Sequence, residues 1–202
     1  QLEPKRYSFR KYMLFFLAQK GSLLGSTIVM FAIIWYLTDI AIPERRNLVL
    51  SFASFLSLSP IVILSPIVGV LADHADKKKI IFYADFLQAL ATLALVFLFQ
   101  FAQSVQIWQI YIIIGIRGIG QAFHQTTEFA LVPFLVPKDK LSRINGLNFL
   151  LSSFVQILGP VVAAFLLLLL ETKWILLADI ITFLIALGPL LFLRIPVVAR
   201  SE

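Results

Sequence analysis

Cysteine is absent from the 202-residue sequence, histidine occurs only at His74 and His124, and charged residues make up just 14%. Without cysteine there is no disulfide framework and no thiolate metal site, and nothing marks a redox compartment. With so few histidines, no nucleophile–base pair or metal-ligand cluster falls at workable spacing, so neither an enzyme nor a cofactor is expected. The scarcity of charge says more. A soluble domain carries roughly a quarter charged residues to cover its surface. Here hydrophobic residues reach 60% and mean hydropathy is +0.94, so most of the surface must face something other than water. The period-two alternation of membrane β-strands is also missing. What is present instead is a series of apolar runs of about 20 residues, the length a helix needs to cross a hydrocarbon core of about 30 Å. Helices meet the further demand that every backbone polar group in lipid be satisfied within its own segment. No cleavable signal peptide is visible, because the first apolar run is about 26 residues long and ends without a small-residue cleavage site. A start at Gln1 rather than Met leads us to expect a trimmed chain or a fragment.

Apolar windows predict six spans, over residues 12–37, 48–72, 80–101, 107–132, 144–170 and 174–193. Short connections separate them, punctuated by Pro43, by Asp73 to Lys79, by Pro133 to Pro137 and by Glu171 to Lys173. Basic residues sort by side. Lys5, Arg6, Arg10, Lys11, Lys77, Lys78, Lys79, Lys138, Lys140, Arg143, Arg194 and Arg200 fall on one face, against Arg45, Arg46 and Lys173 on the other. The positive-inside rule therefore predicts both termini in the cytoplasm of a cell (inner or plasma) membrane. Trp35, Trp108 and Trp174 all fall at the opposite ends of their spans, where amphipathic rings favour the headgroup level. The net charge of +6 is thus an orientation signal. No basic, aromatic-interleaved soluble face suggests a nucleic-acid partner.

Ionisable groups inside a span cost about 2.5–3.5 kcal/mol each on insertion scales, so each requires a reason. On the fourth span Arg117, Gln121, His124 and Glu128 recur at spacings of four, three and four, a single helical face bordered by Gln125. Arg117 falls near the bilayer midplane, and Glu128 about 16 Å further toward the cytoplasm. Such a stripe must face a water-filled cavity or protein partners. Either it walls a cavity in which Arg117 and Glu128 handle substrate or protons, with His124 as a relay, or it is a structural network tied to neighbouring helices. Gln19, Ser22 and Ser26 share a face of the first span and complete the same cavity. Lys20, about 12 Å from the cytoplasmic end, is expected to snorkel outward. Asp85 and Asp179, near span ends, are expected to cap helices or bond to other helices. Pro60, Pro66, Gly115, Gly118, Gly120, Gly159, Pro160, Gly188 and Pro189 lie within spans, as suits bent, closely packed helices.

Gly69-Val-Leu-Ala-Asp73-His74-Ala75-Asp76-Lys77-Lys78 resembles the signature loop of the major facilitator superfamily, G-x-x-x-D-R/K-x-G-R/K-R/K. His74 and Asp76 replace the usual basic residue and glycine. Arg117-Gly-Ile-Gly-Gln121 is similar to the family's R-x-x-x-Q/G pattern on the fourth helix. Gly159-Pro160-Val-Val-Ala163-Ala164 resembles the antiporter motif G-P-x-x-G-G, with alanines for its last two glycines. The run from Arg117 through Ala122, Pro133, Pro137 and Leu141 to Gly146 resembles macrolide-efflux-type transporters of that superfamily.

The resemblance implies an all-α, polytopic membrane protein with six transmembrane helices, the N-terminal half of a twelve-helix fold. It further implies two inverted three-helix repeats, residues 12–101 and 107–194, although no residue-level similarity between them is evident. By the same analogy spans one, two, four and five face the cavity, and three and six are peripheral. Gly69, Asp73, Lys77 and Lys78 would latch the halves: the glycine by close helix contact, the aspartate at a helix N-terminus, the lysines by charge pairing. The implied function is proton-coupled efflux of amphipathic drugs by alternating access. Arg117, Glu128, Gln121, His124, Gln19 and Ser26 would serve coupling and cavity, and Gly159 and Pro160 helix bending and packing. The implied partners are the lipid bilayer, an amphipathic substrate, protons and a C-terminal six-helix half. Two other readings stay open: a six-helix scaffold or regulator with a closed, dry interior and no transport, and a lipid or siderophore exporter of the same architecture.

Overall fold

A computed structural model of the chain describes residues 6–102 and 104–192, with side chains from Tyr12 onward. The expectations placed on Lys5, Leu193, Arg194 and Arg200, and on the side chains of Arg6, Arg10 and Lys11, lie outside the described residues. Within them all regular structure is helical: α1 (Arg6–Ile40), α2 (Arg46–His74), α3 (Lys77–Phe101), α4 (Ile107–Leu135), α5 (Leu141–Leu167) and α6 (Thr172–Phe192). Each overlaps one expected span. The segments of α1, α2, α3, α5 and α6 are long and apolar enough to cross a membrane. Helix α4, which carries the polar stripe, is not among them.

Local chemistry sets the helix ends. Asp76 caps α3, its carboxylate accepting from the backbone N–H groups of Lys78 at 3.0 Å and Lys79 at 3.4 Å, which satisfies donors the helix leaves free. At the start of α4, Gln106 and Gln109 form a reciprocal capping box. Pro43–Arg45 and Lys138–Lys140 are single 3₁₀ turns before α2 and α5. Pro60, Pro66, Pro133, Pro160 and Pro189 all lie inside helices that continue through them.

The core consists of two main apolar layers with polar groups between them. One layer joins Tyr12, Phe15 and Phe16 of α1 to Ile81 of α3, Leu131 and Leu135 of α4, Ile144 of α5 and Leu190 of α6. The other joins Leu37 at the far end of α1 to Ala53 of α2, Leu95 of α3, Ile110 and Ile114 of α4 and Leu176 of α6. Successive helices therefore run in opposite directions. Helix α1 packs chiefly on α6 and α5, α4 on α2 and α3, and α3 on α6. Helices α2 and α5 leave long apolar faces uncovered, among them Val62, Ile63 and Ile67, and Phe149, Ile157 and Val161. Exposed surface of this kind requires lipid or further protein against it.

Glycine decides the closest approaches. A Cβ on Gly118 would sit 2.8 Å from the Leu56 carbonyl oxygen of α2. One on Gly120 would sit 3.0 Å from the Ala84 carbonyl oxygen of α3. Gly25, which sequence inspection passed over, holds α1 against Ala178 and Thr182 of α6 in the same way, and Gly159 faces Thr27. By contrast, Gly69, Gly115 and Gly188 have open space where a side chain would be. The close helix contact expected of Gly69 is thus not made within this chain.

Candidate functional site

Between the apolar layers lies a cavity of about 420 Å³, walled by α1, α2, α4 and α5, with Gln88 the one contribution from α3. The α4 stripe forms one side: Arg117, Gln121, His124, Gln125 and Glu128 all line it. Gln19, Lys20 and Ser26 of α1 stand opposite. Arg117, Glu128, Gln121, His124, Gln19 and Ser26 are therefore gathered in one place, whereas Ser22, expected with them, does not line the cavity. Sequence reasoning overlooked Asn148, Ser152 and Gln156, which give α5 a polar face on the same cavity. Their spacing of four residues was readable, but neutral side chains carry too small an insertion cost to draw attention.

The charged groups form two buried networks. In the first, Arg117 donates through Nη1 to the Asp179 carboxylate and also meets Thr92 Oγ1. Thr92 donates to Asp179 Oδ2 at 2.7 Å, and Ser26 to Oδ1 at 2.5 Å. One carboxylate thereby ties α1, α3, α4 and α6 together. Asp179 makes the interhelical bonds expected of it, yet it does so deep in the bundle, only 3% exposed, as the counter-ion of Arg117. Helices α3 and α6 are consequently more than peripheral supports, since they send Thr92 and Asp179 inward.

The second network corrects the expectation for Lys20. Its side chain does not snorkel. Lys20 is 8% exposed, and its Nζ donates to Glu128 Oε1 at 3.2 Å while lying 5.2 Å from the Phe16 ring centroid. The physical reason is a closer partner: a buried carboxylate on α4 offers better charge compensation than a strained reach to the headgroups. His124 continues the chain, with Nδ1 at 2.5 Å from Asp85 Oδ1 and Nε2 at 3.8 Å from Glu128 Oε2. Asp85 is thus bonded between helices. Lys20 and Arg117 supply two positive charges against three from Asp85, Glu128 and Asp179. One proton, on His124 or on an acid, brings these two networks to neutrality.

The α2–α3 loop is held differently from expectation. Lys77 is buried with its Nζ 4.6 Å from the Phe134 ring centroid of α4, a cation–π contact. Lys78 Nζ donates to the Leu191 carbonyl oxygen near the end of α6 at 2.5 Å, where the helix dipole favours a cation. For Lys77 an aromatic face stands where charge pairing was expected. Asp73 is exposed and has no hydrogen bond or ion pair among the described residues.

Membrane-length helices around a buried polar cavity, with long apolar faces left uncovered, define a polytopic membrane protein. The sequence profile of the Major Facilitator Superfamily matches residues 15–202, and the chain belongs to that family of multi-pass membrane transporters. It is 36% identical over 186 residues to macrolide efflux protein A of Streptococcus pyogenes, a match covering 92% of this chain and 45% of that protein. Macrolide efflux protein A of Enterococcus faecalis is 36% identical over 143 residues, covering 71% of this chain and 44% of that protein. An uncharacterised MFS-type transporter of Bacillus subtilis, YkuC, is 27% identical over 192 residues, covering 95% and 44%. The chain thus spans less than half the length of these relatives.

Proposed function

We propose that the chain is the N-terminal half of a drug exporter that moves amphipathic compounds, macrolides among them, out of the cell in exchange for protons. All six helices cross the membrane in this scheme, α4 included, because its stripe faces the cavity and the opposite face is apolar. Both termini lie in the cytoplasm, and a second six-helix half covers the apolar faces of α2 and α5. Alternating access then exposes the cavity to each side in turn.

An inverted repeat is supported by the packing. Exchanging α1–α3 with α4–α6 carries the α1–α6 contact onto α4–α3, and α1–α5 onto α4–α2. Gly25 against Ala178 and Thr182 then corresponds to Gly120 against Ala84 and Gln88. Asp179 and Asp85 follow those alanines directly.

The observation that carries the coupling is the one carboxylate lining the cavity, Glu128. Glu128 faces the cavity beside Lys20, Arg117 and His124, so loading or releasing one proton there changes the net charge that a substrate meets. Efflux by the intact protein in everted vesicles tests this directly. Macrolide or ethidium is expected to accumulate under an inward-acid gradient and to stop accumulating when an ionophore collapses it. Accumulation that ignores the gradient would remove protons from the scheme, and none under any condition would favour a scaffold.

A further inference from the structure

The charged groups lining the cavity are paired, but the buried amide of Gln19 is not. Gln19 is only 2% exposed, yet both its amide nitrogen and its amide oxygen lack a hydrogen-bond partner within the protein. A buried amide left unpaired costs roughly 1–3 kcal/mol, a cost that makes sense where something else completes the pair. Helix α5 runs beside it in parallel register. Gly159 meets Thr27, and Ile144 shares an apolar layer with Tyr12 and Phe16, which sets Asn148 and Ser152 at the level of Gln19. With Gln156 they form a ladder of amides and hydroxyls on the cavity side of α5. The same three residues also line a second groove of about 620 Å³ between α4 and α5, whose apolar walls include Phe129 and Phe149. Both volumes fall within the range of small-molecule sites, apolar walls with a few placed polar groups.

We propose that Gln19, with Asn148, Ser152 and Gln156, is a recognition subsite for the neutral oxygen functions of the substrate. Gln19 donates to a carbonyl or ether oxygen and accepts from a hydroxyl, while the apolar body of the ligand lies against Phe129 and Phe149 in the α4–α5 groove. The substrate class is an oxygen-rich amphipath with hydroxyls on an apolar frame, selected by neutral hydrogen bonds rather than by charge. The subsite rests on the transport reading for its purpose, but its binding can be measured separately. Lys20, Glu128 and Arg117 are left to coupling and architecture.

The test is equilibrium binding of two radiolabelled probes, a hydroxylated macrocyclic lactone and its O-permethylated counterpart, to the purified intact protein. Wild-type protein is expected to favour the hydroxylated probe about tenfold, the equivalent of about one well-made hydrogen bond. Gln19→Leu, close in volume and free of the unpaired amide, should erase most of that preference. Ser152→Ala, on a different helix, should reduce it independently. Comparing preferences rather than affinities cancels steric effects of methylation. An undiminished preference in Gln19→Leu, or equal weakening of both probes, would overturn the subsite. If the preference shifts as expected while vesicles transport neither probe, the subsite stands and the exporter reading falls.

Discussion

Asp179→Asn is expected to destabilise the helix bundle by about 3–5 kcal/mol, because it strands the Arg117 guanidinium in the interior without its counter-charge. Thermal unfolding in detergent should register the loss as a marked drop in Tm, with reduced yield from the membrane. Arg117→Met should behave similarly, since Asp179 then keeps only the hydroxyls of Ser26 and Thr92. The combined replacement Arg117→Met with Asp179→Leu is expected to recover most of the stability, as well-packed apolar residues often match a buried ion pair. Thr92 keeps its bond to the Gln88 carbonyl oxygen in that variant. Should either single variant unfold like the wild type and lose only proton-driven transport, the pair would belong to coupling rather than to architecture.

Glu128→Gln is expected to have the largest effect on transport. Its carboxylate neutralises Lys20 and lies next to His124. Asp85 faces the far side of His124. Removing the Glu128 charge leaves Lys20 without a partner and the cavity without its one lining carboxylate. Coupling free energies between linked sites run at about 1–3 kcal/mol, or about 5–150-fold. The stimulation of efflux by a proton gradient should fall by a factor in that range, while Tm changes far less than for Asp179→Asn, because the flexible Lys20 stem can reach outward once its partner is lost. Adding Lys20→Gln should restore any lost stability without restoring coupling. Gradient-driven efflux measured side by side in the three variants separates these outcomes; undiminished stimulation in Glu128→Gln would take Glu128 out of the coupling step.

Much of the architecture was legible because lipid imposes a simple rule. Apolar runs of bilayer length became helices with ends close to those expected, and the α4 stripe was visible through its helical spacing alone. Partnerships were not legible. Lys20 was expected to reach the headgroups on the strength of its distance along α1, whereas the deciding fact was an acid on another helix, 108 residues away. Asp179 looked unremarkable because its place along α6 says nothing about which helix faces it. Polar groups raise a flag in proportion to their insertion cost, so charged residues were found and the neutral α5 face was missed. Glycines gave the reverse error. Gly115 and Gly188 share their place within spans with Gly118 and Gly120, yet only a neighbouring backbone separates a contact glycine from an idle one. In the family loop, the partners of Lys77 and Lys78, an aromatic ring and a helix terminus, depend on α4 and α6 and so lie beyond what motif identity can tell.

Because the chain contains no cysteine, the exposure of α4 can be probed one introduced thiol at a time with a water-soluble maleimide, which reacts with the thiolate form and so needs water at the site. Gln121→Cys and Gln125→Cys, on the cavity side, should label readily and be shielded by added macrolide. Ile112→Cys and Ile119→Cys, on the outward apolar side, should stay unlabelled in the membrane. The opposite pattern, with Ile112 and Ile119 reactive and the glutamine positions silent, would put the stripe against lipid and contradict the cavity on which everything else depends.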